Sequence, residues 1–155
     1  MKRQRLLFVC LGNICRSPLA QGVFGSVAAQ SGKGDLFELD SAGTGTWHIG
    51  NPPDPRAVAA AARRGIDLSG QRARQVRARD FYNFDLLLAM DMDNRSQLLS
   101  LAPEEHEHKV RLFLDDAPQQ GPREVPDPYY GGAHGFDEVL DLVEAGSRAL
   151  LARLC

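Results

Sequence analysis

Cysteine is scarce in this chain, and so is any feature of an exported or membrane-spanning protein. Three cysteines in 155 residues, two of them in one short stretch at Cys10 and Cys15, do not make the disulfide framework of a small secreted domain. Residues 1–5 are basic, but the apolar run behind them covers only residues 6–9, far too short for a signal peptide or a membrane span. A net charge of -2 argues against general nucleic-acid binding. Repeats, low-complexity tracts and linkers are missing as well. What these absences leave is a soluble, cytoplasmic protein of one domain, residues 1–155, large enough to bury a core.

What is present is concentrated in Val9-Cys10-Leu11-Gly12-Asn13-Ile14-Cys15-Arg16-Ser17-Pro18. The continuous apolar run before it suits a strand buried on both faces. Ser17 and Pro18 read as a helix start, with the serine as cap and the proline at the first helical position. Between strand and helix the chain must turn sharply, and Gly12 and Asn13 accept unusual backbone angles most readily. Such a loop turns successive amides toward one point above a helix N-terminus, where the helix dipole also favours negative charge. An oxyanion fits there. Cys10, at the end of the strand, lies beneath it, and the amides, the dipole and Arg16 all favour its thiolate form. Arg16 offers a planar fork for two phosphate oxygens. The chemistry implied is attack by sulfur on a phosphate ester, giving a phosphocysteine.

Along the rest of the chain, apolar residues at helical spacing predict a helix over 18–30, and residues 36–42 read as a second strand, paired in parallel with the first. Residues 43–53 form a loop that holds the only tryptophan, Trp47, with His48 beside it taken as structural. Asp54-Pro55 starts a second helix that Gly65 closes. Residues 56–79 carry seven arginines (Arg56, Arg63, Arg64, Arg72, Arg74, Arg77, Arg79) against one acid, Asp67, and read as a solvated face or, more sharply, a phosphopeptide groove. Strands are predicted over 85–90 and 110–114, a helix over 91–101, and a last helix from Gly135. His106 and His108 lie in a connector and make a poor metal site. Four short parallel strands alternating with helices give a three-layer α/β domain, whose ligands bind beyond the carboxyl ends of the strands, where Cys10 falls.

A cysteine-dependent phosphate transfer also needs an acid for the leaving oxygen. The long loop 115–135 holds Asp127 between two prolines and before two tyrosines, a stiffened carboxylate in a partly apolar setting. Asp91, Asp115 and Asp116 compete for the same role.

The run from Cys10 to Pro18 resembles the signature loop of the low-molecular-weight protein tyrosine phosphatases. Three further blocks agree in order: Asp40-Ser41-Ala42-Gly43-Thr44 with Trp47-His48 and Asp54-Pro55-Arg56-Ala57; Ala73-Arg74-Gln75; and Asp127-Pro128-Tyr129-Tyr130-Gly131-Gly132. The resemblance implies strand order 2-1-3-4 and catalysis by Cys10, Arg16 and Asp127. It implies a phosphate bed of Leu11, Gly12, Asn13, Ile14, Cys15 and Ser17, with Ser17 bonded to the Cys10 sulfur and Asn13 keeping the loop in shape. Trp47, Tyr129 and Tyr130 would wall a slot deep enough for phosphotyrosine. Neither metal nor cofactor is expected. The implied substrates are phosphotyrosine proteins, a tyrosine kinase among the candidates, and the product is inorganic phosphate. Where many relatives place a histidine bonded to the loop asparagine, this chain has Gln71, which can still donate to Asn13.

Cys15 has two readings: a residue that fills space in the loop, or, the one favoured, a second thiol able to trap oxidised Cys10 as a disulfide. Two other classes stay open. An arsenate reductase can share the loop but needs a relay of further cysteines, and none lies between Cys15 and Cys155. A phosphopeptide-binding module would need neither nucleophile nor acid.

Overall fold

In the computed structural model, residues 3–117, 123–129 and 134–155 are described. Strand β1 (Gln4–Cys10) runs through the middle of a parallel sheet of order β2-β1-β3-β4, with β2 spanning Phe37–Gly43, β3 Leu86–Ala89 and β4 Val110–Leu112. Leu6, Leu7, Phe8 and Val9 are all fully buried because the strand is covered on both faces. Leu6 and Phe8 join one apolar cluster with helices α1 (Arg16–Gln30) and α5 (His134–Leu154). Leu7 and Val9 join the other, with Phe81 of the short helix α3 (Asp80–Asn83) and Leu98 of α4 (Met92–Leu101). Removing all four side chains from water is worth about 1.5–3 kcal/mol each, enough to make this strand the spine of the domain.

Register places the site. Cys10 ends β1 opposite Gly43 at the end of β2, so the loop after each strand opens at the same edge of the sheet. A Cβ on Gly43 would stand 2.8 Å from the Leu11 carbonyl, so only glycine lets the two loops lie this close. Helix α2 (Pro55–Ala62) begins as the sequence predicts, with the Asp54 carboxylate accepting the Arg56 amide at 2.8 Å.

Several expectations are corrected. Helix α1 starts at Arg16, not Pro18; Ser17 is inside the first turn and caps nothing, because its hydroxyl is drawn to the loop beneath. The fourth strand stops at Leu112, since the Asp115 carboxylate takes the Leu112 amide at 3.1 Å and turns Phe113–Asp116 into a 3-10 helix. The connector with His106 and His108 is itself a 3-10 helix, Glu104–Lys109, and His106 packs edge-on against Tyr82. Six of the seven arginines of 56–79 are exposed, as a solvated face requires, yet several of them are paired. Arg74 binds Asp40 and Asp80, Arg64 reaches Asp137, Asp141 and Glu144, and Arg56 holds Asp54: the balancing acids come from elsewhere in the chain. No helix among the described residues is long and apolar enough to cross a membrane.

Candidate active site

The loop between Cys10 and Arg16 is shaped by where its carbonyls go. Those of Cys10, Leu11, Ile14 and Cys15 accept amides from Thr44, Gly45, Asp54 and Leu19 at 2.8–3.1 Å. These bonds fix the loop's oxygens against the body of the protein. The N-cap of α1, Cys15, makes no side-chain capping bond, so its side chain does not take up the donors of the first helical turn.

Asn13 is the one described non-glycine residue with a positive φ, 57°, a conformation asparagine tolerates better than most side chains. Its amide donates to Cys10 Sγ at 3.2 Å. Its side chain points away from the opening and is held from three directions. Nδ2 donates to Ser17 Oγ (2.8 Å) and Ser41 Oγ (2.9 Å), and Oδ1 accepts the Arg74 amide at 2.9 Å. Because Asn13 donates to Ser17, the Ser17 proton is left for the Cys10 sulfur 3.0 Å away. Gln71 does not donate to Asn13, as the sequence led one to expect. Its Oε1 lies 3.4 Å from the Ser41 hydroxyl and its Nε2 donates to the Pro18 carbonyl, so the glutamine supports the asparagine through Ser41. Gly12 also departs from expectation: its φ is not positive, and the position needs room instead, since a Cβ there would meet the His48 ring at 3.1 Å.

Above the loop lies a pocket of about 320 Å³ lined by Cys10, Leu11, Gly12, Ile14, Cys15, Arg16, Trp47, His48, Asp127 and Tyr129. Cys10 is 3% exposed at its floor, and Trp47 is 70% exposed at its rim. Asn13 and Ser17 are buried behind the loop. Tyr130 lies outside the described residues. Asp91, an early rival as the acid, has other work. It caps α4 by accepting the Asn94 amide at 2.7 Å, and it holds Arg16 Nη1 at 2.6 Å. Asp115 and Asp116 are engaged with Arg111, and Asp116 also with Arg153, and neither lines the pocket. Asp127 alone of these carboxylates faces the opening, 37% exposed, with Oδ2 3.7 Å from Arg16 Nη2 and Oδ1 accepting the Tyr129 amide at 3.0 Å.

The electrostatics act strongly on Cys15. Burial, and then the charges of Asp54, Cys10 and Asp127, push the Cys15 thiol far above its ordinary range, so it stays protonated. Arg16 is raised: burial works against its charge, but the Cys10 sulfur and the Asp91 and Asp127 carboxylates outweigh it. The guanidinium is therefore a permanent cation fixed against the loop, with the Val125 carbonyl as a further acceptor at 3.1 Å.

Sequence reasoning missed His48 as a lining residue, although its neighbour Trp47 pointed there. Ser41 and the Arg74 amide escaped it too, because both act from behind the loop, at long sequence separation from Asn13.

Residues 5–155 match the family model described as low molecular weight phosphotyrosine protein phosphatase. A putative low molecular weight protein-tyrosine-phosphatase of Synechocystis is 47% identical, with 97% of this chain and 96% of the relative aligned. Among solved structures, a protein tyrosine phosphatase of Entamoeba histolytica with Hepes in its active site superposes with a TM-score of 0.94 at 40% identity, over 97% of this chain and 96% of that one. YfkJ of Bacillus subtilis gives 0.93 at 41% identity, over 99% and 96%.

Proposed function

Because the chain belongs to the low molecular weight phosphotyrosine protein phosphatase family, we propose that Cys10, Arg16 and Asp127 carry its reaction. The protein is a protein tyrosine phosphatase, a hydrolase of phosphotyrosine and small aryl phosphates through a phosphocysteine. The single observation behind the residue assignment is the Cys10 sulfur at the pocket floor, facing the Asn13 amide and the Ser17 hydroxyl, with Arg16 and Asp127 above it.

In the first step the Cys10 thiolate attacks phosphorus. The P–O bond to the tyrosine breaks, and Asp127 gives its proton to the departing phenolate oxygen. In the second, Asp127 takes a proton from water, the water oxygen attacks phosphorus, and the S–P bond breaks to release phosphate and the thiolate. Ser17 stabilises that leaving thiolate. Arg16 and the amides of Leu11, Gly12, Ile14, Cys15 and Arg16 hold the three peripheral oxygens throughout. Trp47 and Tyr129 wall the slot. Residues 1–155 act as one phosphatase domain, on phosphotyrosine proteins that include tyrosine kinases, in the cytoplasm, where thiols stay reduced. The slot makes a test. Phosphate release from a phosphotyrosine peptide should exceed release from the matching phosphoserine peptide by about 10²-fold, because a short side chain cannot bring its phosphate to the loop while filling the walls. Equal rates would remove the slot.

Cys15 protects Cys10 from oxidation. Peroxide oxidises the Cys10 thiolate to a sulfenic acid; the neighbouring Cys15 sulfur then forms an S–S bond with it and water leaves. Kept protonated by its burial, Cys15 is itself a poor target for peroxide. After peroxide treatment, dithiothreitol should restore wild-type activity and fail to restore Cys15→Ser. The same recovery in both proteins would rule the disulfide out.

A further inference from the structure

The acid-bearing segment and the phosphate loop come from opposite ends of the chain, yet one side chain stands between them. The Asp54 amide donates to the Ile14 carbonyl at 2.8 Å, which ties the start of α2 to the phosphate loop. The Asp54 carboxylate grips the Arg56 guanidinium on both oxygens, at 3.1 Å to Nε and 2.9 Å to Nη2. Arg56 Nη2 then donates to the Tyr129 carbonyl at 3.0 Å, and the Tyr129 amide donates to Asp127 Oδ1 at 3.0 Å. The guanidinium also lies over two rings, 5.5 Å from the centre of Tyr129 and 4.9 Å from that of Phe136. Arg56 therefore touches Tyr129, two residues after Asp127, and Phe136 in the first turn of α5, so both rest on one rigid, planar group.

A flat cation with several donors is suited to this, since it can satisfy a carboxylate and a carbonyl in its plane while its face packs on aromatic rings. Among the described residues, Asp127 is otherwise met only by Arg16, at 3.7 Å, and it is partly exposed. A proton donor must sit within hydrogen-bond reach of the leaving oxygen, and a displacement of about 1 Å can cost on the order of 10²-fold.

We propose that Arg56 is a positioning residue that sets the Asp127 carboxyl over the leaving-group oxygen, linking the phosphate loop to the acid through Asp54 and Tyr129. The inference rests on Asp127 being the acid.

The test compares kcat/KM for phenyl phosphate, whose leaving group needs a proton, with that for p-nitrophenyl phosphate, whose leaving group needs far less. Arg56→Ala should lose about 10- to 100-fold on phenyl phosphate and about 3-fold or less on p-nitrophenyl phosphate, by the same positional sensitivity. Inhibition by inorganic phosphate should hold steady, because the loop itself is held by Asn13. Arg56→Lys, which keeps the charge beside Asp54 but not the fork to Tyr129, should fall between wild type and alanine on phenyl phosphate. In an Asp127→Ala background, Arg56→Ala should cost nothing further. Equal losses on both substrates with weaker phosphate inhibition would mean a merely structural role and overturn the proposal. So would a full additional loss in the double mutant. If Asp127→Ala shows the leaving-group split and Arg56→Ala does not, this inference alone fails; if Asp127→Ala shows no split, the acid assignment fails and this inference with it.

Discussion

Cys10→Ser protein should fold, bind inorganic phosphate and release no nitrophenol from p-nitrophenyl phosphate in the presence of EDTA, a loss of about 10⁴-fold or more of the kind seen when a covalent nucleophile is removed. The reasoning begins with what the substitution leaves in place. A hydroxyl is smaller than a thiol and can use the same Asn13 amide and Ser17 hydroxyl, so the buried position stays satisfied and the fold should survive. What goes is the negative charge. A serine in the same surroundings stays protonated near neutral pH, and its oxygen does not attack phosphorus without a base beside it. Phosphate binding should be retained or tightened, since the anion no longer faces a thiolate at the floor of the pocket. Metal-free turnover by the wild type and none by the mutant would fit the sulfur mechanism. Near wild-type turnover in Cys10→Ser would transfer the reaction to a directly attacking water and overturn the assignment.

Asp127→Ala should lose about 10²- to 10⁴-fold on phenyl phosphate, equivalent to roughly 3–5 kcal/mol of transition-state stabilisation, and much less on p-nitrophenyl phosphate. The asymmetry follows from the leaving groups. Phenolate departs poorly without a proton, whereas nitrophenolate carries its own charge. The fold is not at risk, because Asp127 is partly exposed and its bonds to Tyr129 and Arg16 lie at the surface of the pocket. Comparison of kcat/KM for the two substrates in wild type and mutant isolates the first chemical step. Matching losses would move the acid to another group, and Asp91 is the least able to serve, since it already caps α4 and holds Arg16.

Most of the frame was legible in the sequence because it rests on local signals. Leu6 to Val9 is apolar without a break, and the strand is indeed covered on both faces. Asp54 before Pro55 gave the start of α2, and Cys10 before Arg16 gave the anion loop. The boundaries that moved are those where a side chain competes with the backbone: Ser17 leaves its capping role for the sulfur, and Asp115 takes the amide that would have extended β4. The supports of Asn13 were not legible. Ser41 and Arg74 are ordinary polar residues in their own neighbourhoods, and only the pairing of β2 with β1, and of Gly43 with Gln75, brings them behind the loop. Asp127 needed the family resemblance, because sequence distance says nothing about which of four aspartates faces a cleft. Segment 56–79 reads correctly as largely solvated, but its arginines look unbalanced until the acids of β2, α3 and α5 are placed beside them.

The hold on Asn13 bears on what ordering the loop costs. Its left-handed backbone is supported by three side-chain bonds, all made with the protein's own groups. The conformational entropy of holding Asn13 in this way is lost when the chain folds. Free energy released by the phosphate oxygens as they meet the loop is left for the transition state, where their charge and geometry change most.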